Sequence, residues 1–305
     1  MSIVKSFSVG NGDMFCIYHD SDNFSIIDCC LNDDNRKRIL EEISTLSNKK
    51  GITRFISTHP DEDHIRGLEF LGDEIEISNF YAVKNKATKT DESASFKRYC
   101  ELRDHKEKSF NIYHGCSREW MNQSNDERKS SGIDILWPKT ENEEFKKALE
   151  EAESGVSPNN ISTIIKYYEG GARFLWMGDM ETEFMNKIKY ELLGILTEID
   201  ILFAPHHGRN TGRVPKIILE KLNPKIIVIG EGNSEDLNYY SGYKTITQNS
   251  AGDITFECEQ SAINIFTSKK YDVNFLQYRF FYWLFKNDNY NYLGTLFIKA
   301  KMRLI

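Results

Sequence analysis

Two periods govern the order of apolar and polar positions along this chain. Near the N-terminus the period is two. Ile3 to Ser8, Met14 to Tyr18 and Asn23 to Cys29 read as strands, with the glycine-rich turn Val9-Gly10-Asn11-Gly12-Asp13 between the first two. The period then becomes helical, and Ile39, Leu40, Ile43 and Leu46 share one face of a predicted helix over Asn35 to Leu46. A short strand, Phe55 to Thr58, comes next. Ile65, Leu68 and Leu71 follow it at helical spacing, so the intervening residues form a turn between strand and helix.

Residues 72–130 are less regular. Ile77 to Val83 and Phe110 to His114 read as strands, Ser93 to Lys108 as a charged helix and Asn122 to Ser131 as a polar loop. Ile133 to Trp137 is a strand stopped by Pro138, and Glu141 to Glu153 is an acidic helix. Thr163 to Tyr168 and Arg173 to Met177 make a hairpin across Glu169-Gly170-Gly171. Helix and strand then alternate: Thr182 to Leu196, Ile199 to Ala204, Lys216 to Leu222 and Lys225 to Ile229. Ile254 to Glu257 and Ala262 to Phe266 form a closing hairpin. This alternation predicts an α/β fold. The pattern changes in residues 269–305, where Phe275 to Phe285 is dense in aromatics but broken by Gln277 and Arg279. The expectation is a main domain over 1–268. The extension over 269–305 is expected to pack on it, with a partner or dimer surface as the alternative.

Composition narrows the class. The chain has 305 residues, 40% of them hydrophobic and 28% charged, as in an ordinary soluble protein. No apolar run approaches the roughly 20 residues of a membrane span. No charged segment with an apolar core opens the chain, so no signal peptide and a cytoplasmic location are expected. The six cysteines form no C-x-x-C pair, which points to free thiols rather than a zinc ribbon. The net charge of −7 argues against a protein that coats nucleic acid, though not against a local basic groove.

The candidate chemistry lies at the ends of predicted strands. His59, Asp61, Asp63 and His64 fall together in Ser57-Thr58-His59-Pro60-Asp61-Glu62-Asp63-His64. An acidic turn that caps a helix needs its aspartates but neither histidine. Imidazole and carboxylate in one loop suit a divalent ion such as Zn or Mn. Two further strand-end groups stand downstream, Asp179 after Met177-Gly178 and His206-His207 within Pro205-His206-His207-Gly208. Asp28 ends an earlier strand, and Asn160 and Ser162 lie in the turn before the hairpin.

The order and spacing of these groups resemble the metallo-β-lactamase superfamily, and within it the hydrolase domain of the ComEC-type DNA-uptake channel. The resemblance is carried by Val9-Gly10-Asn11-Gly12-Asp13, Ile27-Asp28, Thr58-His59-Pro60-Asp61-Glu62-Asp63-His64, Asn160-Ile161-Ser162, Gly178-Asp179 and Pro205 to Gly208. It covers roughly residues 3–260. It implies an αββα sandwich of two mixed sheets flanked by helices. It implies one or two divalent metal ions, Mn or Zn, held by His59, Asp61, Asp63, His64, Asp179 and His206, with Asp179 between them. Asp61, Asp63 and Asp179 would act in catalysis. Asp28, Asn160, Ser162, His207 and Arg209 would support the ligands or touch substrate. Two departures from the superfamily pattern weaken the first metal position: Asp61 replaces a histidine, and Asn160 stands where another is common.

A divalent ion lowers the pKa of a water it holds from about 15.7 toward ~7, which makes hydroxide available at neutral pH. The leading expectation is therefore a metal-dependent phosphodiesterase or nuclease acting on DNA. A hydrolase of a small phosphoester, cyclic nucleotide or thioester is the alternative, and the acidic balance leans toward it. A non-catalytic partner-binding protein is the third reading. It fits poorly with a complete set of ligand candidates and with no cysteine among them.

Overall fold

The protein is described by a computed structural model covering residues 1–279 and 290–299. The chain begins with strands β1 (Ser2–Ser6), β2 (Phe15–Tyr18), β3 (Asn23–Ile27) and the short β4 (Cys29–Cys30). Helix α1 (Arg36–Ser47) leads to β5 (Ile52–Ile56), then α2 (Glu62–Ile65), α3 (Leu68–Glu74), β6 (Asn79–Ala82), α4 (Ala94–Arg103) and β7 (Ser109–Asn111). The second part contains β8 (Ile133–Trp137), α5 (Glu143–Glu153), β9 (Ile164–Glu169), β10 (Ala172–Trp176), α6 (Thr182–Lys187) and α7 (Lys189–Ile195). It continues through β11 (Ile201–Phe203), α8 (Lys216–Leu222), β12 (Ile226–Ile229), β13 (Thr245–Thr247) and α9 (Gln248–Ala251). Strands β14 (Ile254–Cys258), β15 (Ala262–Thr267) and β16 (Asn291–Phe297) close the described chain.

These strands form a nine-stranded sheet, ordered β16-β15-β14-β1-β2-β3-β5-β6-β7, and a six-stranded sheet, ordered β13-β12-β11-β10-β9-β8. Both are mixed. In the first, β3, β5, β6 and β7 are parallel and the rest antiparallel. In the second, β10 to β13 are parallel while β8, β9 and β10 are antiparallel.

Side-chain alternation explains the layers. On β3 and β5, Phe24, Ile26 and Phe55 point to one face, where they meet Ile39, Ile43, Leu68, Leu71, Phe96 and Tyr99 from α1, α3 and α4. Ile27 and Ile56 join the core on the opposite face. There the sheets meet: Phe15 and Phe256 of the first sheet stack edge-on or tilted against Phe174, Trp176 and Phe203 of the second. Trp137 of β8 instead packs on Phe145 of α5 and Phe184 of α6, so those helices cover the outer face of the second sheet. Helix, sheet, sheet, helix is the αββα sandwich expected.

Some boundaries differ from the periodic reading. The predicted helix over Thr182 to Leu196 is two helices that meet at Ile188. Strand β13 has three residues, too few to show a period. Part of the predicted extension, β16, pairs along β15 and becomes an edge of the first sheet. Of the aromatic run, Phe275 to Arg279 are described and residues 280–285 lie outside the described residues. No described helix is long and apolar enough to cross a membrane. All six cysteines are free thiols.

Candidate metal centre

The motif-bearing loops leave the carboxyl ends of parallel strands, where an open α/β sheet leaves room for a ligand. Asp28 follows β3, His59 to His64 follow β5, Asp179 follows β10, and His206 with His207 follow β11. The sandwich brings the ends of β5, β10 and β11 together.

Tight backbone turns aim the side chains. Asp28, His206 and His207 have left-handed φ values of 57°, 55° and 54°, which non-glycine residues adopt at a cost and mostly at functional sites. Gly178 also has positive φ, 52°, and a Cβ there would stand 2.6 Å from Ser162 Oγ and 2.9 Å from Thr58 Cβ. Only glycine lets these loops close on one another. Asp61 caps α2 by accepting a hydrogen bond from Glu62 N at 2.8 Å.

Asp179 is buried at the centre. Its Oδ1 lies 2.9 Å from His64 Nε2. Its Oδ2 lies 3.5 Å from His207 Nε2, 3.6 Å from His206 Nε2 and 4.0 Å from His59 Nε2. Its backbone N–H donates to Ser162 Oγ at 3.0 Å, which holds the loop in place. His207 Nε2 also contacts Asp63 Oδ2 at 3.2 Å. Behind each of two histidines stands a carboxylate on the Nδ1 side: Asp28 at 2.8 Å from His64 and Asp13 at 3.1 Å from His207. Asp28 is itself fixed by Thr58, whose N–H and hydroxyl donate to it at 2.7 and 2.6 Å.

Electrostatics follow from this crowding. Burial alone would lower the pKa of both His64 and His207. Asp179 and Asp28 overcome it and raise His64 well above the usual range, while Asp179, Asp13 and Asp63 raise His207 to about 10. Burial favours a protonated Asp179, but His207, His64 and His59 hold it well below the ordinary carboxylate value. At His59 the carboxylates of Asp179, Asp61 and Asp63 compensate only in part. Its burial, with His64 beside it, pushes it down to about 3.

The arrangement fits a divalent ion in one half of the site. Ligand atoms of Asp13, His64, Asp179 and His207 all lie within 4.8 Å of one another. Buried His64 Nε2, His59 Nε2 and Asp179 Oδ1 have no aligned hydrogen-bond partner, which is costly unless something else binds them. Tetrahedral ligands about 2.0–2.1 Å from a zinc ion stand roughly 3.4 Å apart. The contacts linking Asp63, His207, Asp179 and His64, at 3.2, 3.5 and 2.9 Å, are of that scale. His64 is backed at Nδ1 by a hydrogen bond to Asp28, the usual way to fix a metal-binding imidazole, and Asp13 stands 3.1 Å from Nδ1 of His207 without an aligned hydrogen bond.

The other predicted residues are placed as follows. Asp61 is 39% exposed and pairs with Lys89 Nζ at 2.9 Å. Asn160 exchanges two hydrogen bonds with Glu181, at 2.9 and 3.1 Å, and does not enter the convergent group. Arg209 reaches His206 Nε2 at 3.2 Å and also bonds Asn11. Asp13 was not among the sequence candidates, although the glycine-rich turn that carries it was conspicuous. A strand-end carboxylate after Gly-x-Gly was the available signal. Of the adjacent histidines, His207 rather than His206 belongs to the group with Asp13, His64 and Asp179.

No protein-family model matches the chain, and no curated protein matches it. Among solved structures, one similar chain is CmlA, a diiron β-hydroxylase from Streptomyces venezuelae. It shows 12% identity and a TM-score of 0.45, and the match covers 77% of this chain and 46% of that one. Another is a candidate metallo-β-lactamase from Thermotoga maritima, with 15% identity and a TM-score of 0.33, covering 60% of this chain and 81% of that one. This chain thus spans about half the length of the first.

Proposed function

We propose that this chain is a metal-dependent hydrolase acting on phosphodiesters, with DNA the polymer to test first. One observation carries the reading: ligand atoms from four separate loops converge at Asp179, and the buried His64 Nε2 and Asp179 Oδ1 among them have no aligned hydrogen-bond partner. Asp63, His64, Asp179 and His207 would hold the ion, which when bound supplies Lewis acidity and a nucleophile at neutral pH. Asp28 and Asp13 keep the imidazoles of His64 and His207 turned inward. Asp61 stays ionised, because Lys89 and His59 outweigh the effect of burial. The resemblance to ComEC-type domains supports DNA as substrate.

A second reading, hydrolysis of a small phosphoester, is favoured by a cavity of about 250 Å³ beside Asp61 and by the net charge of −7. One set of assays separates the two. The full chain is purified, its metal counted, and linear DNA, circular DNA, RNA and a small diester are offered with Mn²⁺ or Zn²⁺. Cleavage of DNA that vanishes in Asp179→Ala supports the first reading. Cleavage of the small diester alone supports the second. If Asp179→Ala cleaves as fast as the parent protein, the centre described above is not the active site.

A further inference from the structure

The Asp61 side of the centre is built unlike the His207 side. Asp61 Oδ1 accepts hydrogen bonds from Lys89 Nζ at 2.9 Å and from Glu62 N at 2.8 Å. His206 Nε2 accepts from Arg209 Nη1 at 3.2 Å, so the ring's proton sits on Nδ1 and donates to Thr211 Oγ1 at 3.0 Å. Both amide atoms of Asn160 are taken by Glu181. Of this half, His59 alone has a buried ring nitrogen aimed at Asp179 with no hydrogen-bond partner. A second divalent ion would have Asp61 Oδ2 and His59 Nε2 to draw on, but against positive charge already resting on Asp61 and His206, so these residues fit one poorly. They already carry two side-chain cations, Lys89 on Asp61 and Arg209 on His206.

Two monovalent cations supply the charge of one divalent ion. We propose that the centre holds a single divalent ion, in the Asp63/His64/Asp179/His207 half, and that Lys89 and Arg209 fill the other half as an anion-binding pair for substrate phosphate oxygens. The inference rests on the metal-dependent hydrolase reading. The cavity of about 250 Å³ lies on this side, bordered by Asp61, Lys89, Thr88 and Ser157. The side chains of Lys89 and Asp61 are 21% and 39% exposed, and so accessible a pair is weak. The ammonium can therefore leave Asp61 for a phosphate oxygen. Arg209, at the His206 edge and outside the lining of that cavity, contacts two neutral acceptors, His206 and Asn11, which its terminal nitrogens would exchange for phosphate oxygens.

Calorimetric titration of the metal-stripped full chain with Mn²⁺ tests this. The parent protein is expected to take one ion. Lys89→Met/Arg209→Met is expected to take a second, at least tenfold more tightly than any second event in the parent. Lys89→Arg, which keeps the cation, is expected to stay at one. With one equivalent of Mn²⁺ present, inorganic phosphate should bind the parent at least tenfold more tightly than the double variant. Melting curves establish that each variant is folded, and single Lys89→Met replaces the double variant if that one is not. Two ions in the parent protein, no gain in the variant, or equal phosphate binding each overturns the inference while leaving the hydrolase reading in place. No ion bound at all overturns both.

Discussion

The two halves of the centre share Asp179 and differ in everything around it. On the His64/His207 side both histidines have a carboxylate beside Nδ1, Asp28 at His64 and Asp13 at His207. On the Asp61/His206 side the corresponding groups are occupied by Lys89, Arg209, Thr211 and Glu181. The contrast teaches that a metal site is defined by what its donors are not already bonded to. Carboxylates and imidazoles stand on both sides. On one they converge on a common point clear of any side-chain cation, and on the other His59 alone keeps a buried ring nitrogen without a partner while Lys89 and Arg209 sit on its neighbours.

The largest expected effect separates the adjacent histidines. His207→Gln should weaken ion binding by more than about 100-fold, beyond what loss of a group behind a ligand causes. His206→Gln should leave it within about tenfold of the parent protein, since the Arg209 contact is one that does not hold the ion. Equal losses in the two variants, measured by calorimetry, would erase the difference between the halves.

Next in size are the supporting carboxylates. Asp28→Asn and Asp13→Asn should each weaken ion binding about 10–100-fold with the fold retained, as removal of a partner behind a metal-bound histidine does. An ion affinity unchanged in Asp13→Asn would show that Asp13 merely neighbours His207.

The centre should also respond to pH. His64 and His207 have pKa values raised above those of an unfolded chain, His207 to about 10. Their protons stabilise the ion-free protein fully below the unfolded value of about 6.5, and that contribution is lost as pH rises through about 10. An ion must displace those protons, so its affinity should climb with pH by up to about tenfold per unit for each proton released. Melting temperatures at pH 7 and 9.5, with and without Zn²⁺, give the check. The ion-free protein should lose stability at the higher pH and the loaded protein should not. A parallel decline in both would mean the histidines do not hold the ion.

The smallest effect sharpens the comparison from the other side. Asp61→Asn should change affinity for the single ion by only about 0.5 kcal/mol, roughly a factor of two, as for a surface substitution outside the ligand set. A loss as large as that of His207→Gln would restore Asp61 as a ligand.

The alternation of periods was enough to predict an α/β chain, because the parallel strands are buried runs between amphipathic helices. The chemistry after β5 was legible for a similar reason: His59, Asp61, Asp63 and His64 sit in one contiguous loop, so their spacing alone places them close together. Asp179 and the His206-His207 pair stood out as polar residues at the ends of apolar strands. What lay beyond the sequence was direction. Two successive left-handed residues give His206 and His207 different neighbours, Arg209 and Thr211 for one, Asp13 and Asp63 for the other, and no periodicity encodes that turn. Asp13 reaches His207 only because β1 and β2 of one sheet and β11 of the other end at the same edge of the sandwich. Lys89, on an irregular loop between β6 and α4, meets Asp61 for the same kind of reason. The sequence by itself determined the layers and the inventory of donors, which depend on local period and residue type. The tertiary structure decided which donors stay free and which meet a neighbouring cation, because that depends on contacts between loops far apart along the chain.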